Sequence, residues 1–326
     1  MTSATTDARQ RWHVAWKPAL AWTATLAALL LAGFLVHRAL TRFTWNEIVA
    51  AMGGIPAWRL GAALLWAAAS YFCLTLFDLL GARYAGHRLA WRQVALAAFT
   101  ALSLGHNIGF AGLSSGAIRY RIYARWGLSA GDVGRIVLFS GATVACGLLV
   151  LGSAAFLLAP SLVRTMTGLS RGGIGMMGTG GVLLILAYLG LAWWRPPPLR
   201  LRRWTVPMPA LPLAAGQILI GSINFACVAA CLYQTLAAIA EVPYLQVAAS
   251  FAIAQMAAIV SHLPGGLGVV ENVVLAFLPG ASVMGALVAY RVVYYFVPLL
   301  AGGALLAVTE WRWSQDGRSR RQIRCD

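Results

Sequence analysis

The chain has 326 residues, of which 60 % are hydrophobic and 10 % charged, where an ordinary soluble domain carries about 25 % charged residues. Lys and Arg number 25 against 9 Asp and Glu, a formal charge of +16, and so apolar a chain has few watery surfaces for that charge outside short loops beside anionic lipid. A disordered tail, a nucleic-acid-binding module and a disulfide-stapled secreted domain are excluded on composition, and Cys73, Cys146, Cys227, Cys231 and Cys325, without zinc-like or paired spacing, read as packing residues.

A transmembrane helix needs about 20 mostly apolar residues, and six segments meet that need: Ala19 to Val36, Leu60 to Leu80, Ile136 to Ala159, Gly175 to Trp194, Leu213 to Ile239 and Val283 to Val308. Arg9, Arg11 and Lys17 precede the first, but its apolar run exceeds the usual signal-peptide core of about 7 to 15 residues, so it reads as an anchor. Two further stretches, Val94 to Arg119 and Val247 to Phe277, are apolar but broken by glycine, proline, histidine and asparagine. Irregular backbone at membrane depth survives only where protein or a wet cavity covers it. Both stretches are therefore expected to be re-entrant hairpins, helix-break-helix. The expected fold is an all-α polytopic membrane protein of six full transmembrane helices plus these two hairpins, in one transmembrane domain (19–308) between an N-terminal tail (1–18) and a basic C-terminal tail (309–326).

Placing both termini in the cytoplasm puts 19 of the 25 Lys and Arg residues inside, in the groups Arg9 to Lys17, Arg83 to Arg92, Arg119 to Arg135, Arg195 to Arg203 and Arg312 to Arg324, as the positive-inside rule demands. The two hairpins then enter from opposite faces. Shifting one onto the other by 152 positions pairs Ala97 with Ala249, Phe99 with Phe251, Gly116 with Gly268 and Arg119 with Glu271, the pattern of an inverted repeat, by which many transporters build a substrate site near the midplane.

Ionisable groups in a membrane cost about 2.5 to 3.5 kcal/mol each on insertion scales, so each asks for a partner and a role. Asp78, Arg119, Arg121, Glu271 and Arg291 stand out. One reading is a polar cavity in which Arg119, Arg121 and Arg291 hold an anionic headgroup while the acids balance charge or relay protons. The other is that Glu271 with Arg291, or Asp78 with Arg119, are ion pairs that only pin helices together. The break at Pro264, Gly265, Gly266 and Gly268 offers free amides where a helix begins, which suits an anion. Gly105, Gly109, Gly112 and Gly116 suit close helix packing. His106, Asn107 and His262 are titrating or headgroup-binding candidates beside the plainer reading of backbone hydrogen bonding, and Trp193, Trp194, Trp311 and Trp313 read as interfacial belt residues. The sequence has no phosphate loop, no metal-spaced His or Cys cluster and no carboxylate pair of the metal-dependent glycosyltransferase kind, so no cofactor is expected, and nothing orients Ser114, Ser115 and His106 as a hydrolase.

The segments Ser70 to Leu80, Gly112 to Tyr123 (GLSSGAIRYRIY), His262 to Glu271 (HLPGGLGVVE) and Ala289 to Leu300 (AYRVVYYFVPLL) resemble the YbhN-type inner-membrane proteins and the flippase half of lysylphosphatidylglycerol synthase (MprF). The resemblance runs from about Trp16 to Trp311. It implies a lipid-handling membrane domain, with translocation of phospholipid headgroups in the MprF branch, and points to Asp78, Arg119, Glu271 and Arg291. MprF continues into a soluble aminoacyl-transferase domain whereas this chain ends at Asp326, so aminoacylation is not expected of it. The expected function is transport of a phospholipid, anionic in the first instance, between leaflets of a bacterial inner membrane. The alternatives are a component of a glycosyl- or acyl-lipid transferase, and a scaffold for a partner lipid-synthesis enzyme.

Overall fold

The computed structural model describes residues 45–108, 111–201, 204–261, 268–278 and 281–322. The expected first span, Ala19 to Val36, and the break residues Pro264, Gly265 and Gly266 lie outside the described residues. Among the described residues the regular structure is helical apart from one two-stranded ribbon. In order it forms α1 (Trp45–Gly53), α2 (Ala57–Tyr84), α3 (Trp91–Ile108), α4 (Ala111–Tyr123), α5 (Ala130–Leu158), α6 (Pro160–Thr167) and α7 (Arg171–Trp194). The antiparallel ribbon β1 (Leu199–Leu201) and β2 (Trp204–Val206) precedes α8 (Leu211–Leu236), α9 (Tyr244–Ser261), α10 (Val269–Phe277), α11 (Ala281–Arg291), a π-helical turn (Val292–Phe296) and α12 (Val297–Gln322).

Among the described residues five helical stretches are long and apolar enough to cross a membrane: Ala57–Tyr84, Ala130–Leu158, Arg171–Trp194, Leu211–Leu236 and Val283–Gln315. These match five of the six expected spans. Their surfaces suit lipid. Only 17 % of the apolar window of α7 is buried, and Met176, Leu183, Leu184 and Trp193 stand exposed on it, a contiguous apolar surface that water does not tolerate and acyl chains do.

The boundaries have local causes. Ser129 caps α5 by accepting the Asp132 N–H, while the Asp132 carboxylate accepts the Ser129 N–H at 3.0 Å, a reciprocal cap that satisfies two orphan donors. Ser170 accepts the Gly173 N–H at the start of α7, and prolines open α6 and α8, where a missing N–H costs nothing. The last span, expected as one helix, is interrupted: Pro298 has no N–H to return to the preceding turn, and the chain widens there into the π turn. Such bulges cluster at functional sites. Here the turn gathers Tyr294 and Tyr295, both buried.

The core is built on α2 and α8, which run antiparallel. The Arg59 guanidinium donates to Gln234 Oε1 at one end of this pair, and the Tyr84 hydroxyl donates to the Pro207 carbonyl at the other, with Ser70 and Asn224 bonded midway. The end near Tyr84 also collects His87 and Asp132, in contact at 3.2 Å, and the Arg125–Glu310 ion pair. Small residues allow close crossings: Gly147 of α5 lies against Gly221 of α8, and Gly105 of α3 against Ser115 of α4. Two contacts recur at offsets of 150 to 153 residues, close to the 152 of the sequence shift. Gly302 of α12 lies on Ser103 of α3, as Gly152 of α5 lies on Met256 of α9. Tyr294 meets Ser70 of α2, as Thr143 of α5 meets Gly221 of α8.

A side chain at Gly147 has nowhere to go except into the Gly221 backbone. Gly147→Val is expected to lower stability in detergent by at least the about 1–3 kcal/mol typical of overpacking, read from thermal unfolding, while Gly141→Ala, whose added methyl meets open space, leaves the midpoint where it is.

Candidate functional site

Four ionisable side chains are buried where the five long helices pack: Asp78 (0 % exposed), Arg119 (2 %), Arg291 (2 %) and Glu271 (9 %). They form two ion pairs. In the first, α4 brings Arg119 against Asp78 of α2 in a two-pronged bond, Nε donating to Oδ2 and Nη2 to Oδ1, each at 2.8 Å. The Tyr123 hydroxyl donates to Oδ2 at 3.1 Å and the Ser140 hydroxyl of α5 to Oδ1 at 3.2 Å, so the carboxylate accepts four bonds. Arg119 Nη1 donates to the Ser115 hydroxyl at 2.8 Å. A guanidinium has five N–H groups, and these three bonds leave two of them over. Ser115, Arg119 and Tyr123 are spaced by four along α4, so all three fall on one helix face.

In the second pair, Arg291 at the end of α11 donates through Nε to Glu271 Oε1 at 2.8 Å and through Nη2 to Oε2 at 3.1 Å. Glu271 lies in the first turn of α10 and reaches back to accept the Gly268 N–H at 2.8 Å. Gly268 has φ +84°, left-handed backbone that favours glycine, so the sharp entry into α10 and the amide it frees depend on that residue. The Arg291 guanidinium also lies over the Tyr295 ring, 4.8 Å from its centroid, an attraction that desolvation strengthens.

The pairs sit at different depths. Asp78 lies seven residues beyond Tyr71 on α2, about 10 Å along the axis. Arg291 lies three residues before Tyr294, about 4.5 Å in the opposite sense, because α12 runs on from Tyr294 to Glu310, which bonds Arg121 two residues past Arg119. Between the pairs is a polar node. The Ser70 hydroxyl donates to Asn224 Oδ1 at 2.8 Å, which leaves the Tyr294 hydroxyl to donate to Ser70 Oγ at 2.9 Å, and the Tyr71 hydroxyl reaches the Tyr294 carbonyl at 3.4 Å.

Of the residues expected at a site, Asp78, Arg119, Glu271 and Arg291 are thus brought together in twos, and Gly268 holds one of them. Arg119 and Glu271, matched by the sequence shift, do not pair with each other. Arg121 turns to Glu310 at 2.7 Å, with Arg125 at 3.0 Å on the second oxygen and over the Trp313 ring at 4.1 Å, a cluster near the Tyr84 end of the bundle. Asn107 donates to the Ser103 carbonyl and Ser114 to the Gly105 carbonyl, which is packing chemistry. Sequence reasoning missed Ser115, Tyr123, Ser140 and Glu310. The four-residue spacing around Arg119 was a usable signal for the first two; Ser140 comes from another helix with no local sign. The described residues hold no group of three His, Cys, Asp or Glu side chains fit for a metal ion.

Removing one partner of a buried pair strands the other charge, at a cost of about 3–5 kcal/mol, while replacing both with apolar side chains of similar volume is often neutral or better. Asp78→Ala is therefore expected to be less stable in detergent than Asp78→Leu combined with Arg119→Leu, as read by thermal unfolding. A double variant no more stable than the single one would mean that the cost is not the stranded charge.

No family model matches the chain. It is 30 % identical over 291 residues to an uncharacterized protein of Synechocystis, covering 88 % of this chain and 90 % of that one. It is also 30 % identical over 300 residues to the inner membrane protein YbhN of Escherichia coli, covering 89 % and 91 % respectively. With five apolar helices of spanning length and an alignment of nearly full length to an inner-membrane protein, the chain belongs to the YbhN family of membrane proteins.

Proposed function

We propose that this protein carries a phospholipid, anionic in the first instance, between the leaflets of a bacterial inner membrane. The observation behind this reading is that two buried, charge-neutral ion pairs lie on opposite sides of the level of Tyr71 and Tyr294 along the bundle, with a polar node between them, inside helices whose outer surfaces are apolar. A helix pin needs one pair. Two at different depths, the first with an arginine that has two N–H groups left to donate, suit a phosphate that is bound first from one leaflet and then from the other. The likeness of the Ser70 to Leu80, Gly112 to Tyr123, His262 to Glu271 and Ala289 to Leu300 segments to the flippase half of MprF supports the same reading.

In this proposal α3 with α4 and α9 with α10 are re-entrant hairpins of an inverted repeat, with both termini in the cytoplasm. The recurrence of the Gly302–Ser103 contact as Gly152–Met256 favours the repeat, and the placing of Arg121 and Arg125 together at the Tyr84 end favours that orientation. Each arginine is closed over by protein in this conformation, so the bundle must open toward one leaflet at a time. A headgroup phosphate would take the unused Arg119 donors, and Asp78 and Glu271 would hold the guanidinium groups while no lipid is bound. Charge-assisted hydrogen bonds of this kind are about twice as strong as neutral ones.

The test is leaflet exchange of headgroup-labelled phosphatidylglycerol, cardiolipin and a neutral control lipid in proteoliposomes. Wild type is expected to accelerate exchange of the anionic lipids, and Arg119→Lys and Glu271→Gln to slow it by about ten-fold or more, as the loss of one charge-assisted hydrogen bond would. No acceleration by wild type, with or without a proton gradient, would remove transport as the function.

A further inference from the structure

Buried polar atoms in native proteins are almost always hydrogen-bonded, and in hydrocarbon no bulk water stands in for a missing partner. Among the described residues three buried side-chain atoms have none: Tyr290 Oη, His106 Nδ1 and Thr100 Oγ1. Two of the three stand beside the ion pairs. Tyr290 immediately precedes Arg291, is 0 % exposed, and its ring stacks on Tyr294 with centroids 5.7 Å apart and meets Tyr295 edge-on at 6.0 Å. His106 lies in the last turn of α3 next to Gly105, which packs on Ser115, the acceptor of Arg119, and its ring faces Tyr71 edge-on at 6.3 Å. Tyr71 in turn lies 5.8 Å from Tyr294. The rings His106, Tyr71, Tyr294 and Tyr290 therefore make one continuous seam from the Asp78–Arg119 pair to the Glu271–Arg291 pair, with an unpartnered polar atom at each end. Thr100 lies six residues before His106, on a different face of α3.

We propose that this seam is the passage of the headgroup phosphate between the two arginines, and that the Tyr290 hydroxyl and the His106 imidazole are its binding groups on the way. The proposal rests on the transport reading above and names what that reading lacks, a means of letting go. A phosphate gripped by a guanidinium leaves only if other donors take over part of the bond. Those donors must be weak enough to release it again, as at successive sites in a conduction path. A phenol and an imidazole each offer a hydrogen bond with no fixed charge. Their lack of protein partners means that the phosphate meets them without displacing an existing bond. Tyr294 is spoken for by Ser70, and Tyr71 by the Tyr294 carbonyl, so the seam between the two ends supplies ring surface.

The experiment is exchange of headgroup-labelled phosphatidylglycerol in proteoliposomes by Tyr290→Phe, which removes one oxygen, and His106→Phe, which keeps a ring against Tyr71, with Thr100→Val as the unpartnered hydroxyl off the seam. Thermal unfolding in detergent is read alongside. The two seam variants are expected to be at least as stable as wild type, since a buried polar group without a partner costs folding energy, and to exchange lipid about ten-fold more slowly; Thr100→Val is expected to be at least as stable and to exchange lipid at the wild-type rate. Wild-type exchange by both seam variants, in a protein where Arg119→Lys is slow, overturns the passage and leaves transport standing. So does a drop in unfolding midpoint for Tyr290→Phe, which would give the hydroxyl a structural partner, or an equal loss of exchange in Thr100→Val. Absence of exchange by wild type overturns both the passage and the transport reading.

Discussion

The structure depends on the cost of holding charge away from water. Asp78, Arg119, Glu271 and Arg291 are each at least nine-tenths buried in a bundle whose outside is apolar, and none could stay ionised there alone. The pairing dictates much else. Arg119 must arrive on α4 at the level of Asp78, so α3 and α4 have to pack closely, and Gly105 against Ser115 allows it. Glu271 must present both oxygens to Arg291 and still face the Gly268 amide, so the chain enters α10 through a left-handed residue that only glycine adopts without strain.

A buried ion pair is weak ground for a claim about stability, because well-packed apolar side chains often serve better. Its retention in two places calls for another reason. Each carboxylate here is saturated, Asp78 by four bonds and Glu271 by three, whereas Arg119 is not. The asymmetry sets the first pair apart: the acid fixes the direction of the guanidinium and keeps it electrically neutral with its partner, while two of the five Arg119 N–H groups have no partner among the described residues. A site meant only to pin α2 to α4 would gain nothing from unused N–H groups in hydrocarbon.

The spans were legible because hydrophobic length is a one-dimensional property. Five of the expected segments correspond to helices whose ends differ by a few residues, and the differences come from caps, such as Ser129 with Asp132, that extend a helix past its apolar run. The charged four were legible for the same reason, since an arginine or glutamate inside an apolar stretch is conspicuous. Their pairing was legible as one of two readings, since Asp78 with Arg119 and Glu271 with Arg291 are the ion pairs the sequence suggests; the offset that aligned Arg119 with Glu271 concerns corresponding places in two halves, and correspondence is not contact. The partners that finish the first pair were half visible, Ser115 and Tyr123 by their spacing on α4, but Ser140 on α5 depends on how two distant helices cross. The π turn followed from Pro298, whose effect on the preceding turn could have been anticipated, yet a run of apolar residues through it read as one unbroken span.

That turn ties the two sites together. Without an N–H at Pro298 the preceding turn cannot close in the usual register, and the widened backbone places Tyr294 against Ser70 of α2 while Tyr295 backs Arg291. The same few residues therefore contact the midpoint of the central α2 and α8 pair and the second ion pair, so a shift of the π turn along its helix would disturb both at once. Because α2 also carries Asp78, any opening that moves Arg291 relative to Ser70 acts on the helix that holds the first pair. The two buried ion pairs are thus linked structurally through one irregular turn and one helix.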